Sequence, residues 1–132
     1  MDYNQLNGLS LAYLGDAVFE LSIREYLLNK GYTKVNVLNK RCVEYTSGKN
    51  QALFIYFLIN DKILTDDEIQ VYKRGRNSHI NSVRKNIDIE TYLSATGFEA
   101  LIGYLYLSNK ERLDEIINLI LKWKEDKDSE RH

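Results

Sequence analysis

The chain has no proline, one cysteine (Cys42), two histidines (His79 and His132) and seven glycines among its 132 residues. Each shortage excludes something. Without proline, helices can run uninterrupted, and with so few glycines the tight hairpins of an all-β protein lack their usual turn residues. A single cysteine closes no intrachain disulfide, and with no second cysteine or nearby histidine it anchors no zinc site. Two isolated histidines cannot supply the Glu-x-x-His pairs of a di-iron bundle or the histidine cluster of a hydrolytic zinc centre. The N-terminus, Met1-Asp2-Tyr3-Asn4-Gln5, has no basic stretch leading into an apolar one, and no apolar run reaches membrane-spanning length. These absences predict a soluble, cytoplasmic, all-α protein with no membrane partner, folded as one domain over residues 1–132.

What positive charge there is lies together. The net charge of −1 is too small for nucleic-acid binding through bulk charge. Yet from Val71 to Ile87 the chain carries Lys73, Arg74, Arg76, Arg84 and Lys85 and no acid. The guanidinium forks of Arg74 and Arg76 match phosphate oxygens, and Lys73, Arg84 and Lys85 add attraction. The competing reading is a solvated basic loop with no partner.

Apolar spacing divides the chain into helices. Leu11, Leu14, Val18, Leu21 and Leu28 recur at helical intervals and Gly31 falls where a C-terminal cap belongs, predicting a first helix over about Leu9–Lys30. Thr33 is placed to cap a short second helix through Cys42 and Tyr45, and Ser47 a third whose run from Ala52 to Ile59 reads as buried nearly all round. Thr65-Asp66-Asp67-Glu68 is a capping-box sequence, so a fourth helix starts at about Asp66 and ends near Gly75. The stretch from Arg76 to Asn86 has no apolar period and reads as a loop. Helical pattern returns near Ile89 and breaks at Ser108-Asn109; the last helix sets Leu113, Ile116, Ile117, Ile120 and Leu121 on one stripe. The charged tail from Glu125 to His132 is expected to fray.

Two of these helices carry a carboxylate that apolar periodicity does not explain. One is Leu14-Gly15-Asp16-Ala17; the other is the helix whose only charge between Thr91 and Leu107 is Glu99. Glycine inside a helix costs about 1 kcal/mol relative to alanine, so Gly15, Gly97 and Gly103 need a packing reason, which close contact between the two helices would supply. Two carboxylates converging from packed helices repel unless a cation lies between them. A hard divalent ion with oxygen ligands resolves that conflict, most simply magnesium, with manganese as a substitute. The plainer alternative pairs Asp16 and Glu99 with buried Lys or Arg, or brings them to the surface at a helix edge.

At these residues the sequence resembles the ribonuclease III family. The first family signature is matched by Leu14-Gly15-Asp16-Ala17 and the second by Phe98-Glu99-Ala100-Leu101-Ile102-Gly103, in the family's order and at about its separation. The motif Lys73-Arg74-Gly75-Arg76-Asn77, with no double-stranded-RNA-binding domain following, resembles the Mini-ribonuclease III subgroup. The resemblance implies a helical endonuclease domain that forms a two-fold dimer. Asp16 and Glu99 would be catalytic and metal-holding, and Lys73, Arg74, Arg76, Asn77, Arg84 and Lys85 would contact RNA. The implied activity is metal-dependent endoribonuclease cleavage of double-stranded RNA, leaving 5′-phosphate ends, in maturation of the 23S ribosomal RNA precursor. A ribosomal protein is a candidate helper. Larger family members carry further acids one turn before each catalytic residue, where this chain has Ala12 and Thr96, which weakens the case for a tightly held second metal. The alternative from another class is a non-catalytic helical module that holds structured RNA or a ribosomal particle.

Overall fold

In the computed structural model, residues 1–78 and 88–130 are described. They form six helices: α1 Gly8–Asn29, α2 Val35–Thr46, α3 Gly48–Asn60, α4 Asp66–Arg76, α5 Ile89–Ser108 and α6 Lys110–Ser129. No strand occurs among the described residues, and no helix there is long and apolar enough to cross a membrane.

The ends of the helices follow local chemistry. Asn7 caps α1 through Ser10 N–H, Ser47 caps α3 through Asn50 N–H, and Asn109 both ends α5 and caps α6 through Arg112 N–H. Thr65 and Glu68 form the reciprocal capping box at the start of α4. The cap foreseen at Thr33 does not form: α2 starts after Lys34, with no side-chain cap bond.

Helix α5 is the hub. It packs against α1, α3, α4 and α6, while α2 lies outside against α1 and α3. A helix covered on several sides needs apolar residues all round, which is why its sequence shows no single stripe. Phe98 of α5 meets Phe19 of α1 edge to face at 5.0 Å, and both rings meet Phe54 of α3 at 6.1 Å. On α6, the stripe Leu113, Ile116, Ile117, Ile120 and Leu121 is buried as its spacing requires. On α1 the buried face is Leu11, Gly15, Phe19, Ile23 and Leu27; Leu21 and Leu28, part of the apolar spacing that predicts the helix, are more than half exposed. Helix α1 is apolar on two faces, and spacing alone does not say which one a partner helix covers.

Contact between helices is closest at the glycines. A Cβ on Gly15 would overlap the Glu99 carbonyl oxygen and lie 2.8 Å from Gly103 N; one on Gly103 would overlap the Leu11 carbonyl oxygen. So α1 and α5 touch backbone to backbone, 11 against 103 and 15 against 99, running in opposite directions. Gly97 serves a different neighbour: its missing Cβ makes room for the ring of Tyr72 on α4.

Among the described residues one ion pair is buried. Arg112 of α6 donates from Nε and Nη2 to the Glu68 carboxylate at 2.8 and 2.9 Å, and from Nη2 to the Ile63 carbonyl at 2.8 Å. Burial alone would raise the Glu68 pKa, but the Arg112 and Thr65 hydrogen bonds overcome it and hold the carboxyl below its ordinary value. Glu68 therefore caps α4 and pins α6 at once. The tail expected to fray from Glu125 is helical through Ser129: Glu125 pairs with Lys30 Nζ at 2.7 Å and accepts from the Tyr26 hydroxyl. Charge complementarity with the end of α1, invisible to composition, holds it.

Candidate active site

The glycine contact decides where the acids go. Asp16 follows Gly15, and Gly15 sits against the Glu99 backbone, so the two carboxylates arrive side by side from different helices. They line one cleft of about 320 Å³ with Thr46, Gly48, Gln51, Tyr92, Ala95 and Thr96. The walls come from the corner between α2 and α3 and from the turns of α5 around Glu99. Asp16 is exposed and Glu99 half-buried.

The electrostatics are those of two like charges brought together by the fold. The Glu99 pKa is pushed up to about 8, first by burial, then by hydrogen bonding with Asp16 and by its charge; Gln51 acts in the opposite direction. No Lys or Arg is paired with either acid among the described ion pairs, so the plainer reading of structural salt bridges finds no support there. No group of three or more His, Cys, Asp or Glu residues that could hold a metal ion occurs among the described residues. Two carboxylates still suit magnesium, which keeps several waters and is commonly bound through one or two acids together with substrate phosphates.

Raising a carboxyl pKa on folding means that the folded protein binds a proton the unfolded chain releases. The favourable contribution of neutral Glu99 is complete below about pH 4.5 and is lost as pH rises toward 8. In chelator, the protein should lose stability from pH 5 to pH 8.5. Glu99→Gln should remove most of that slope and be more stable at pH 8.5 by about 1 to 3 kcal/mol. Urea unfolding at both pH values checks this; parallel pH dependences of the two proteins would contradict it.

Ala12 and Thr96, one turn before Asp16 and Glu99, have different surroundings. Thr96 lines the cleft, but its hydroxyl donates to the Tyr92 carbonyl at 3.0 Å. Ala12 belongs to a small apolar cluster with Leu11, Val71 and Ala100 and is not among the residues that line the cleft.

The basic block divides. Lys73 and Asn77 are exposed at the end of α4. Arg74 is turned inward: its Nη1 donates to the Asn4 carbonyl at 3.1 Å, and its buried Nε and Nη2 have no hydrogen-bond partner among the described residues. Arg76 binds both oxygens of Glu90 at 2.7 and 2.6 Å. Arg84 and Lys85 lie outside the described residues. Gly75 packs on Ala100 and near the Thr96 carbonyl, so this end of α4 abuts the stretch of α5 that carries Glu99.

Gln51 was not singled out by sequence reasoning. It is 3% exposed, lines the cleft, and donates from Nε2 to the Thr46 carbonyl at 3.2 Å. A polar residue in the first turn of a helix is ordinary, so nothing in the sequence marked it.

Residues 9–110 match the Ribonuclease III domain family. The chain is similar to Mini-ribonuclease 3 of Enterococcus faecalis, at 50% identity over 92% of each chain. It is also similar to Mini-ribonuclease 3 of Streptococcus pneumoniae, at 43% identity over 89% of this chain and 93% of that one. A crystal structure of a Fusobacterium nucleatum protein superimposes with a TM-score of 0.79 at 39% identity, covering 89% of this chain and 95% of that one.

Proposed function

We propose, because this chain belongs to the ribonuclease III family and is an endoribonuclease, that its Asp16 and Glu99 cleft hydrolyses double-stranded RNA with magnesium bound. The observation that carries this reading is the convergence of two carboxylates from α1 and α5 in one cleft, with neither in an ion pair among the described residues and Glu99 raised to about 8.

Asp16 and Glu99 would hold the ion, which when bound lowers the pKa of water and stabilises charge on the phosphate. In the hydrolysis a water oxygen bonds to phosphorus, the bond from phosphorus to the 3′ oxygen breaks, and that oxygen takes up a proton. The products carry 5′-phosphate and 3′-hydroxyl ends. Lys73 and Asn77 can meet RNA phosphates directly; Arg76 must exchange Glu90 for a phosphate to do so, and Arg74 must turn outward. Arg84 and Lys85 extend the same basic segment. Duplex RNA is distinguished by A-form shape and 2′-hydroxyls, which implies weak sequence selectivity.

The working unit on this reading is a two-fold homodimer. An outward stripe on α1 supports it: Leu9, Tyr13 and Leu21 are 43%, 86% and 57% exposed, at four- and eight-residue spacing beside Asp16. The natural substrate is the 23S ribosomal RNA precursor in the cytoplasm, with a ribosomal protein as candidate presenter.

Digestion of paired RNA, single-stranded RNA and duplex DNA at equal nucleotide concentration tests the substrate class. We expect magnesium-dependent cutting of paired RNA, little of the single strand and none of DNA, with Asp16→Asn as contamination control. Equal cutting of both duplexes by the intact protein alone would refute the RNA reading. Binding of paired RNA without any cleavage would favour the non-catalytic module.

A further inference from the structure

Gln51 is one of the few polar side chains buried among the described residues, and its burial needs a reason: an apolar residue of the same length would fill the space without desolvating an amide. Its bond from Nε2 to the Thr46 carbonyl settles which way the amide plane faces and ties the end of α2 to the first turn of α3. That corner is one wall of the cleft that the acids line. The nitrogen bonded to Thr46 carries a second N–H.

We propose that Gln51 is a positioning residue of the reaction: anchored on the Thr46 carbonyl, its amide orients the Glu99 carboxylate toward Asp16 and the cation the pair holds. The inference rests on the two-carboxylate metal reading above. Gln51 of α3 and Glu99 of α5 line the same cleft, so the second N–H of the anchored amide is available within the site to steer the carboxylate. A group anchored to the backbone can do this without adding a charge, whereas a lysine in its place would compete with the cation. Partners of this kind, one bond removed from a metal, typically alter affinity by about 10- to 100-fold when lost.

The test is manganese binding to the intact protein, read from the paramagnetic resonance signal of the free ion, with circular dichroism to confirm folding. Gln51→Met keeps the length of the side chain and removes its N–H donors. It should bind manganese about tenfold more weakly than the unaltered protein. Glu99→Gln weakens binding by itself, and adding Gln51→Met to it should change nothing further, because the residue through which Gln51 acts is already gone. Should Gln51→Met fail to fold, Gln51→Asn, which withdraws the amide by one methylene, is measured in its place with the same expectation. A folded single variant that binds manganese like the unaltered protein overturns the proposal, and so does a double variant whose losses simply add. Failure of the unaltered protein to bind manganese overturns the metal reading and this one with it.

Discussion

Asp16→Asn and Glu99→Gln should each lower the rate of RNA cleavage by roughly three orders of magnitude at saturating magnesium while leaving the helices in place. Both changes keep the shape of the side chain and remove a charge from the cleft. Asp16 is exposed and Glu99 half-buried, and neither is in an ion pair among the described residues, so neither substitution breaks one of those pairs. The fold should in fact tolerate them well, since the metal-free protein is relieved of one of two repelling acids. The measurement is single-turnover cleavage of a defined RNA duplex, paired with thermal melting of each variant. Full activity in either purified, folded variant would remove that residue from the catalytic assignment. Loss of activity together with collapse of the fold would instead return the carboxylates to the structural reading.

The opposite dissociation is expected at the glycines. Gly15→Ala and Gly103→Ala add one methyl group where α1 and α5 meet backbone to backbone, and the atoms it would overlap are the carbonyl oxygens of Glu99 and Leu11. A side chain can rotate away; a helical carbonyl cannot without breaking its own hydrogen bond. Each substitution should cost about 3 kcal/mol or more and lower the melting temperature by roughly 10 °C, against a typical domain stability of about 5–15 kcal/mol. Gly31→Ala is the informative control. Nothing lies within 4 Å of the Cβ it would carry, but its φ of +102° disfavours any side chain, so its cost is backbone strain of about 1–2 kcal/mol. If all three variants melt alike, crowding at the helix crossing is not what the buried glycines relieve.

The contrast between acids and glycines shows what could be read in the sequence and what could not. Asp16 and Glu99 were legible because a lone carboxylate in an apolar helix is costly and calls for a reason. Gly15 and Gly103 were legible as a pair for the same kind of reason. Gly97 was assigned to the same crossing, yet it faces Tyr72, because a glycine announces close approach without saying of what. The stripe of α6 is plain, since that helix is covered on one side only; in α1, apolar on two sides, the spacing that predicts the helix includes Leu21 and Leu28, which are exposed. Arg74 and Arg76 drew notice as positive charge, but whether an arginine faces solvent or a neighbour such as Asn4 or Glu90 is decided by tertiary contacts that no local pattern encodes. The same holds for Arg112, which gave no signal in sequence and proves to be the buried partner of Glu68. Gln51 went unnoticed because its meaning depends on Thr46 and Glu99, which only folding brings to it.

Helix α2 buries fewer of its residues than any other of the six, only Cys42 and Tyr45. Its final residue, Thr46, is nevertheless part of the cleft wall and the anchor of Gln51. A helix with so little buried surface is a natural site for local opening. Cys42 makes that opening visible. Burial and the nearby Glu20 push its thiol pKa up, so in the closed protein it is both shielded and poorly nucleophilic. Alkylation of this lone thiol then serves as a clock, ticking each time α2 lifts from α1, and it reports the breathing of the cleft wall without turnover, substrate or an introduced label.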